Sequence, residues 1–190
     1  MLPAFLEQDA VEAAPQLLGW KLVSRTAAGI TSGYIVEVEA YSMEDPASHS
    51  FRGLTPRTAP MFKRAGTIYV YFTYGMHYCM NIVTGPVGHG QALLIRALEP
   101  VDGIGLMQAR RDLENVNQLT NGPGKLAQAL GIDKALSGSH LTDGKLSLEP
   151  GFRPADITQT TRIGITKAID QPWRFFVTGN QFVSRQAARG

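Results

Sequence analysis

Two glutamates in a strand-like segment are the first candidates for acid–base chemistry. The segment YIVEVEAY at residues 34–41 alternates, so that Glu37 and Glu39 share one strand face with Tyr41. The opposite face carries the valines and is the natural core face. The pattern alone therefore predicts that both carboxylates lie on the solvent side of the strand.

An arginine in an apolar strand is the second candidate. Arg96 lies in the segment QALLIRAL at residues 91–98, whose composition is typical of a buried strand. A buried cation requires an oppositely charged partner, and Glu39 and Glu99 could each serve. The sequence leaves open whether the pairing is a structural ion pair or part of an active site.

The segment NGPG at residues 121–124 predicts a loop that leads into a helix. Pro123 suits the first helical position, and the helix is expected to stop at Gly131. Free backbone amides at such a start, with Lys125 beside them, can bind a phosphate group. The spacing of a nucleotide-binding P-loop is absent, and a structural turn and a phosphate site both stay open.

Metal and covalent chemistry find little support in the sequence. His77 and Cys79 share a strand face, but no second pair of ligands follows, which argues against a metal site. There is no G-x-S-x-G motif, and Cys79 has no obvious activating partner. His49 by itself is typical of a surface histidine, although the long irregular stretch that holds it, residues 42–66, is of a length more often functional than not.

A tyrosine-rich hairpin is the element around which these candidates are arranged. The segment TIYVYFTYGMHYCMNIV at residues 67–83 holds four of the six tyrosines, and Gly75 marks its turn. A two-residue loop would turn Tyr71 away from Asn81. A three-residue loop would place Tyr71 opposite Cys79 and on the same face as Asn81. A site that uses both Tyr71 and Asn81 therefore requires the three-residue loop.

Periodicity and turn signals predict the remaining elements of a single domain over residues 1–190. Helices are expected at residues 9–19, 102–113 and 123–131, and strands at 20–26, 34–41, 67–73, 77–83, 91–98, 145–149, 162–165 and 173–178. Residues 27–33 are expected to form a turn. No internal repeat, low-complexity segment or linker divides the chain.

Composition excludes several classes of protein. The 190 residues are 44% hydrophobic and 18% charged, which suits an ordered domain with a substantial core. The single cysteine rules out an internal disulfide and fits a reducing compartment. No apolar run approaches the ~20 residues that span a bilayer, and the first residues lack the features of a signal peptide. The net charge of +2 permits a nucleic-acid partner without arguing for one, and the small basic groups are typical of a solvated face.

Several strings together resemble the alkyladenine (3-methylpurine) DNA glycosylase family. They are EVEAY, TPRTAPMFKRAGTIYVYFTYGMHYCMN, LLIRALEP, GPGKL, RIGITKA, PWRFFV and FVSR, and they follow the family's order from residue 20 to residue 185. The tyrosine-rich block is the longest and most specific of them. The N-terminal extension of the mammalian members is absent, which indicates a compact bacterial-type member.

This resemblance implies a fold and a partner. The fold would be α+β, with a curved and mostly antiparallel sheet, flanking helices and a protruding β-hairpin. The partner would be double-stranded DNA that contains damaged purines, bound from the minor groove with one nucleotide flipped into a pocket. The family implies no cofactor, no metal and no membrane. We expect a monomer in the cytoplasm, associated with the nucleoid.

The resemblance also assigns the site residues. Glu39 would be the general base that activates water, and Arg96 would help to hold that water. The pocket for the base would be formed by Tyr41, His49, Tyr71 and Asn81, with Asn81 discriminating at its floor. The residues that enter the duplex would be Tyr74, as the wedge, and Met76. The contacts to the DNA backbone would come from Arg57, Gly122, Gly124 and Lys125.

The implied activity is that of a monofunctional DNA glycosylase. It would release alkylated purines, namely 3-methyladenine and, as further candidates, 7-methylguanine, hypoxanthine and ethenoadenine, and leave an abasic site for base excision repair. His77 replaces an aromatic residue common beside the wedge, and the segment from Tyr41 to His49 is one residue shorter than in mammalian relatives; both bear on the range of lesions. Two alternatives stay open: a non-catalytic sensor of damaged DNA on the same scaffold, and a nucleic-acid-binding module of a formyltransferase-like protein.

Overall fold

Eight strands join one antiparallel sheet in the computed structural model, which describes residues 2–73 and 75–184. They are β1 (Lys21–Thr26), β2 (Gly29–Tyr41), β3 (Ile68–Thr73), β4 (His77–Thr84), β5 (Gln91–Pro100), β6 (Leu146–Glu149), β7 (Ile157–Thr160) and β8 (Arg174–Val177). The strand order is β3-β4-β5-β2-β1-β6, and β8 pairs with both β2 and β7. The helices are α1 (Ala10–Leu17), α2 (Ile104–Arg111) and α3 (Pro123–Leu130). Short 3-10 turns occupy Ala4–Glu7, His49–Arg52, Ala59–Phe62, Val116–Gln118, Lys134–Leu136 and Leu141–Asp143. The predicted α+β class is confirmed.

Strand β2 is the centre of the sheet. Its 13 residues pair with β5 along one edge, and with β1 and then β8 along the other. The register against β5 shifts on both sides of Glu37, which marks a β-bulge. As a result Ile35 joins Val38 in the main core, whereas Val36 packs against Phe182. The predicted strict alternation, with Val36 on the same core face as Val38, is therefore wrong at this point.

The hairpin of β3 and β4 has the three-residue connection that the sequence argument required. Tyr69 pairs with Asn81, Tyr71 with Cys79 and Thr73 with His77, which leaves residues 74–76 as the connection. Tyr71 and Asn81 consequently lie on one face of the hairpin. Gly75 has φ +68, a left-handed conformation that glycine adopts without strain.

The main core lies between the sheet and helices α1 and α3. Helix α1 begins after Asp9, whose side chain accepts a hydrogen bond from the Val11 amide, and it buries a stripe of small and aliphatic side chains. Helix α3 begins at Pro123 and ends before Gly131, which has φ +67, so the predicted boundaries of this helix are confirmed. No helix within the described residues is both long and apolar enough to cross a membrane.

Two predicted elements differ from the structure. Residues 162–165 were expected to form a strand, but they form a loop against the polar face of β2, where backbone groups bind side chains instead of a strand partner. The expected turn at residues 27–33 is shorter, because β2 begins at Gly29 and pairs at once with β1. The other predicted strands and helices are present with shifted ends.

Candidate functional site

A cavity of about 680 Å³ opens on the face of the hairpin that carries Tyr71 and Asn81. Its floor and one wall come from strands β3, β4 and β5, and the opposite walls come from two loops, residues 46–61 and 163–167. Pro123 at the start of α3 completes the rim. This volume lies within the range of small-molecule sites and can hold a purine base.

Aromatic side chains form the wall predicted for a base pocket. Tyr41, His49 and Tyr71 all line the cavity. The ring of His49 meets that of Tyr71 edge to face, with centroids 4.5 Å apart, and its Nδ1 lies 2.9 Å from the hydroxyl of Tyr69. Burial, assisted by the nearby charge of Arg57, lowers the pKa of His49, so the imidazole is neutral near pH 7. The predicted pocket residues are thus brought together, with Tyr69 as an addition.

Asn81 presents an oriented acceptor to the cavity. Its side-chain amide donates to the backbone carbonyl of Tyr69 at 3.1 Å, which fixes the orientation of the group. Within the described part of the chain, no residue donates a hydrogen bond to Asn81 Oδ1. The side chain is nearly buried and lines the cavity. Its free oxygen is therefore available to a ligand.

Glu39 is fully buried, and the prediction that it points to solvent is wrong. Its carboxylate accepts hydrogen bonds from the Tyr41 hydroxyl at 2.8 Å and from the backbone N–H of Ile163 at 2.8 Å. Arg96 Nη1 lies 3.3 Å from Glu39 Oε1. Glu39 itself does not line the cavity, but Tyr41, Ile163 and Arg96 all do. Burial, together with the negative charge of Glu39, raises the pKa of Tyr41, so its hydroxyl remains a donor.

Glu37 is also fully buried, against the same prediction. It pairs with Arg96 Nε at 2.9 Å and with Arg174 Nε at 2.7 Å, and Ser184 donates to it from both the backbone and the hydroxyl. Arg96 therefore bridges two glutamates. Burial opposes the charge on Arg96, but the two carboxylates outweigh it and raise the pKa of the guanidinium. The alternative partner suggested by the sequence, Glu99, instead accepts from Asn180.

An ion pair that sequence reasoning missed joins the two loops of the cavity. Arg162 forms a buried, two-pronged pair with Asp45 and donates to the carbonyl of Ala40 at 3.0 Å. Its guanidinium lies over the rings of Tyr41, at 4.6 Å, and Trp173, at 5.1 Å. The only sequence signal was the string RIGITKA, which had no assigned role. This pair sets the position of Ile163 and hence of the amide that binds Glu39.

Of the residues predicted to contact a DNA backbone, Arg57 lines the cavity, and Gly122, Gly124 and Lys125 are neighbours in the chain of Pro123, which also lines it. Arg57 is exposed and lies 5.8 Å from the ring centroid of Tyr71. At the start of α3, which follows Gly122, Lys125 donates to Asn121 at 2.8 Å. The basic side chains that line the cavity are His49, Arg52, Arg57, Arg96 and Lys167, and among its described lining residues none is Asp or Glu. Because the imidazole of His49 is neutral and Arg96 is paired with two glutamates, the positive charge of the mouth comes from the exposed side chains of Arg52, Arg57 and Lys167.

The hairpin tip lies beside the same mouth. Gly124 packs against His77, the first residue of β4, so closely that a Cβ there would lie 3.0 Å from the His77 side chain. Met76 is 69% exposed and Phe72 is 47% exposed. The predicted wedge, Tyr74, lies outside the described residues. The intercalating roles of Tyr74 and Met76, like the backbone contacts of Arg57, Gly122, Gly124 and Lys125, stay predictions.

Comparison with known proteins gives one consistent result. The family model for methylpurine-DNA glycosylase matches residues 4–181. A protein of Methanoculleus marisnigri is 53% identical over 188 residues, which cover 96% of this chain and 97% of that protein. A protein of Francisella tularensis subsp. tularensis is 48% identical over 97% of this chain and 98% of its own length, and one of Carboxydothermus hydrogenoformans is 45% identical over 96% and 97%. All three carry the provisional name 3-methyladenine DNA glycosylase.

Proposed function

The chain belongs to the methylpurine-DNA glycosylase family and is a DNA glycosylase that hydrolyses N-glycosyl bonds, and from this premise we propose how its own residues act on alkylated purines. The substrate is duplex DNA with a damaged purine, foremost 3-methyladenine. The damaged nucleotide leaves the helix and its base enters the aromatic cavity. The enzyme acts as a monomer and releases a free base and an abasic site.

The observation that carries this proposal is the environment of Glu39. A fully buried carboxylate lies directly behind an aromatic pocket, and its partners Tyr41, Ile163 and Arg96 all line that pocket. Burying a charge is costly unless it is paired, so the arrangement favours a functional carboxylate over an incidental one. A pure DNA-binding protein has no use for a buried carboxylate behind its base pocket.

The reaction requires few groups from the protein. Glu39 takes a proton from water as the water oxygen forms a bond to C1′ of the sugar. The N-glycosidic bond breaks, and its electron pair leaves with the purine. The ionised carboxylate also stabilises the positive charge that develops on the sugar in the transition state. Arg96 holds the attacking water; its Nη1 lies 3.3 Å from Glu39 Oε1 and its side chain lines the cavity, which supports this role.

The pocket walls suit a cationic base. Alkylation at N3 or N7 gives a purine a positive charge, and each stacked tyrosine favours such a cation by roughly 0.5–2 kcal/mol. Tyr41 and Tyr71 line the cavity and can supply such rings, and the neutral His49 adds no positive charge beside them. Asn81 Oδ1 accepts a hydrogen bond from the edge of the base, and it is the group that discriminates among purines.

Entry of the base requires the duplex to open. Flipping a nucleotide costs a few kcal/mol, and a side chain at the hairpin tip, Tyr74 with Met76, fills the gap that the base leaves. The cationic mouth holds the flanking phosphates, with Arg57 and the start of α3 as the candidate contacts. Met76 at 69% exposed is available for this insertion.

Release of free base from methylated duplex DNA tests the proposal. Enzyme in excess over DNA should release 3-methyladenine, detected by chromatography, and leave an alkali-labile abasic site without cutting the strand. The non-catalytic sensor would bind the lesion and release nothing. A formyltransferase-like module would neither prefer the lesion nor release a base. Either of these results would contradict the proposed function.

A further inference from the structure

Glu37 has no task in the reaction proposed above, yet it is bound more extensively than Glu39. From the described residues its fully buried carboxylate receives four hydrogen bonds, from Arg96 Nε at 2.9 Å, Arg174 Nε at 2.7 Å, Ser184 N at 2.6 Å and Ser184 Oγ at 2.8 Å. Hydrogen bonds between charged groups are the strongest that side chains make. The side chain of Glu37 is therefore held in one position.

Arg96 lies between Glu37 and Glu39 and contacts both. Its Nε binds Glu37, its Nη1 lies 3.3 Å from Glu39 Oε1, and its Nη2 donates to Ser184 Oγ at 3.3 Å. The guanidinium is planar and rigid, so anchoring Nε and Nη2 determines where Nη1 points. Arg96 consequently touches Glu39 with one nitrogen and does not form the two-pronged pair that guanidinium and carboxylate prefer when unconstrained.

We propose that Glu37 is a positioning residue for catalysis: it holds Arg96 so that its guanidinium contacts only Oε1 of Glu39, and Oε2, which accepts from the Tyr41 hydroxyl, keeps a lone pair to take a proton from water. This inference rests on the proposed function and deepens it. Without Glu37, Arg96 can turn and pair with Glu39 through two nitrogens. Such a pair would occupy the oxygens of Glu39 and weaken it as a base.

Charge balance gives removal of Glu37 a second, separate consequence. Among the described residues, Glu37 and Glu39 balance the charges of Arg96 and Arg174. Neutralising Glu37 would leave two arginines beside one carboxylate, and a cluster with a net positive charge gives up a proton more readily. The other ionisable groups near Glu39 are Tyr41, Tyr71, Cys79 and Arg162, which the substitution leaves in place.

The C-terminal segment takes part in this arrangement. Ser184 supplies two of the four hydrogen bonds to Glu37, and the preceding Phe182 and Val183 are buried. Phe182 packs against Val36 beside the bulge of β2. The segment that closes the back of the site therefore lies 147 positions from Glu37 in the chain.

Single-turnover kinetics with enzyme in excess test the role of Glu37. For Glu37→Gln, the maximal rate of 3-methyladenine release should fall by on the order of 10²-fold, the scale of a misplaced catalytic group, while the half-saturating enzyme concentration stays unchanged. The acidic limb of the pH–rate profile should move to lower pH. If Glu37 only stabilised the fold, its substitution would lower the melting temperature and the fraction of DNA that reacts. The maximal rate and the acidic limb of the pH–rate profile would then stay unchanged.

Two further variants complete the experiment. Glu99→Gln is the matched control, because it removes a carboxylate charge beside the same C-terminal segment, leaves an oxygen that can still accept from Asn180 and does not touch Arg96; it should keep the maximal rate. In an Arg96→Gln background, Glu37→Gln should have no further effect on the rate, since Glu37 acts through Arg96. An unchanged maximal rate for Glu37→Gln, or losses that simply multiply in the double variant, would overturn the inference.

A milder variant covers the case in which Glu37→Gln does not fold. Ser184→Ala keeps the buried charge and the backbone hydrogen bond but removes the hydroxyl that binds both Glu37 and Arg96. It should lower the maximal rate by several fold in the parent protein and not at all in the Arg96→Gln background; a full maximal rate would contradict the proposal. If the unsubstituted protein releases no base, the result contradicts the proposed function and says nothing about the role of Glu37.

Discussion

Replacement of Glu39 by glutamine is the most direct perturbation of the proposed chemistry. The substitution keeps the shape of the side chain. Its carbonyl oxygen can still accept from Ile163 N, and its amide can donate to the Tyr41 hydroxyl in place of accepting from it. The buried hydrogen bonds are therefore largely preserved, and only the charge is lost.

The expected cost to stability is small, and the expected cost to catalysis is large. Arg96 loses one of its two carboxylate partners but keeps Glu37 at 2.9 Å. The free energy of unfolding should fall by about 1–3 kcal/mol, the value of one charged hydrogen bond. The general base is lost completely, so excision should slow by roughly 10²–10⁴-fold.

Three measurements separate these effects. Urea unfolding followed by circular dichroism gives the change in stability, equilibrium binding to a lesion duplex gives the affinity, and single-turnover release of 3-methyladenine gives the rate. Glu99→Gln again serves as the control. Binding should survive in Glu39→Gln. Turnover close to that of the unsubstituted protein would refute the assignment of Glu39 as the base.

Four other predictions follow from the site. Sodium borohydride added during turnover should trap no covalent protein–DNA adduct, because water is the nucleophile and Lys167, which lines the cavity, is exposed and therefore not activated as an amine nucleophile. A trapped adduct would contradict this mechanism. Substitution of Tyr74 by alanine should weaken duplex binding by about 1–3 kcal/mol without lowering the melting temperature of the protein. A lowered melting temperature with normal duplex binding would contradict the predicted role of Tyr74 as the wedge. At fixed salt, the rate of hypoxanthine release between pH 5 and pH 9 should pass through a maximum, because this neutral base must be protonated to leave. The rate of 3-methyladenine release should fall only at acidic pH. Identical bell-shaped profiles for the two bases would disprove the leaving-group argument. Asp45→Ala leaves the guanidinium of Arg162 buried without its carboxylate and should reduce the free energy of unfolding by about 3–5 kcal/mol in urea titrations; a change below about 1 kcal/mol, within the range of surface pairs, would show that the pair contributes little.

Local sequence was sufficient for the ends of α3, and in the hairpin it left two possibilities. A two-residue connection would separate Tyr71 from Asn81 and a three-residue connection would place both on one face, and the observed register has the three-residue connection. Pro123 and Gly131 fixed both ends of α3, because proline suits the first helical turn and glycine tolerates the left-handed cap. The family resemblance added roles for residues that no pattern could supply.

Only the tertiary structure decided the environment of the two glutamates. An alternating strand with one apolar face predicts that its polar face meets water, and this holds unless other parts of the chain cover that face. Here β8, the loop at residues 162–168 and the segment at residues 180–184 cover it, and they bring Arg174, the Ile163 amide and Ser184 to the carboxylates. These partners lie more than 120 positions from β2 in the chain, beyond the reach of any local pattern. Burial of Glu37 and Glu39 is stable because arginines and backbone amides compensate their charges, and that compensation exists only once the chain has folded.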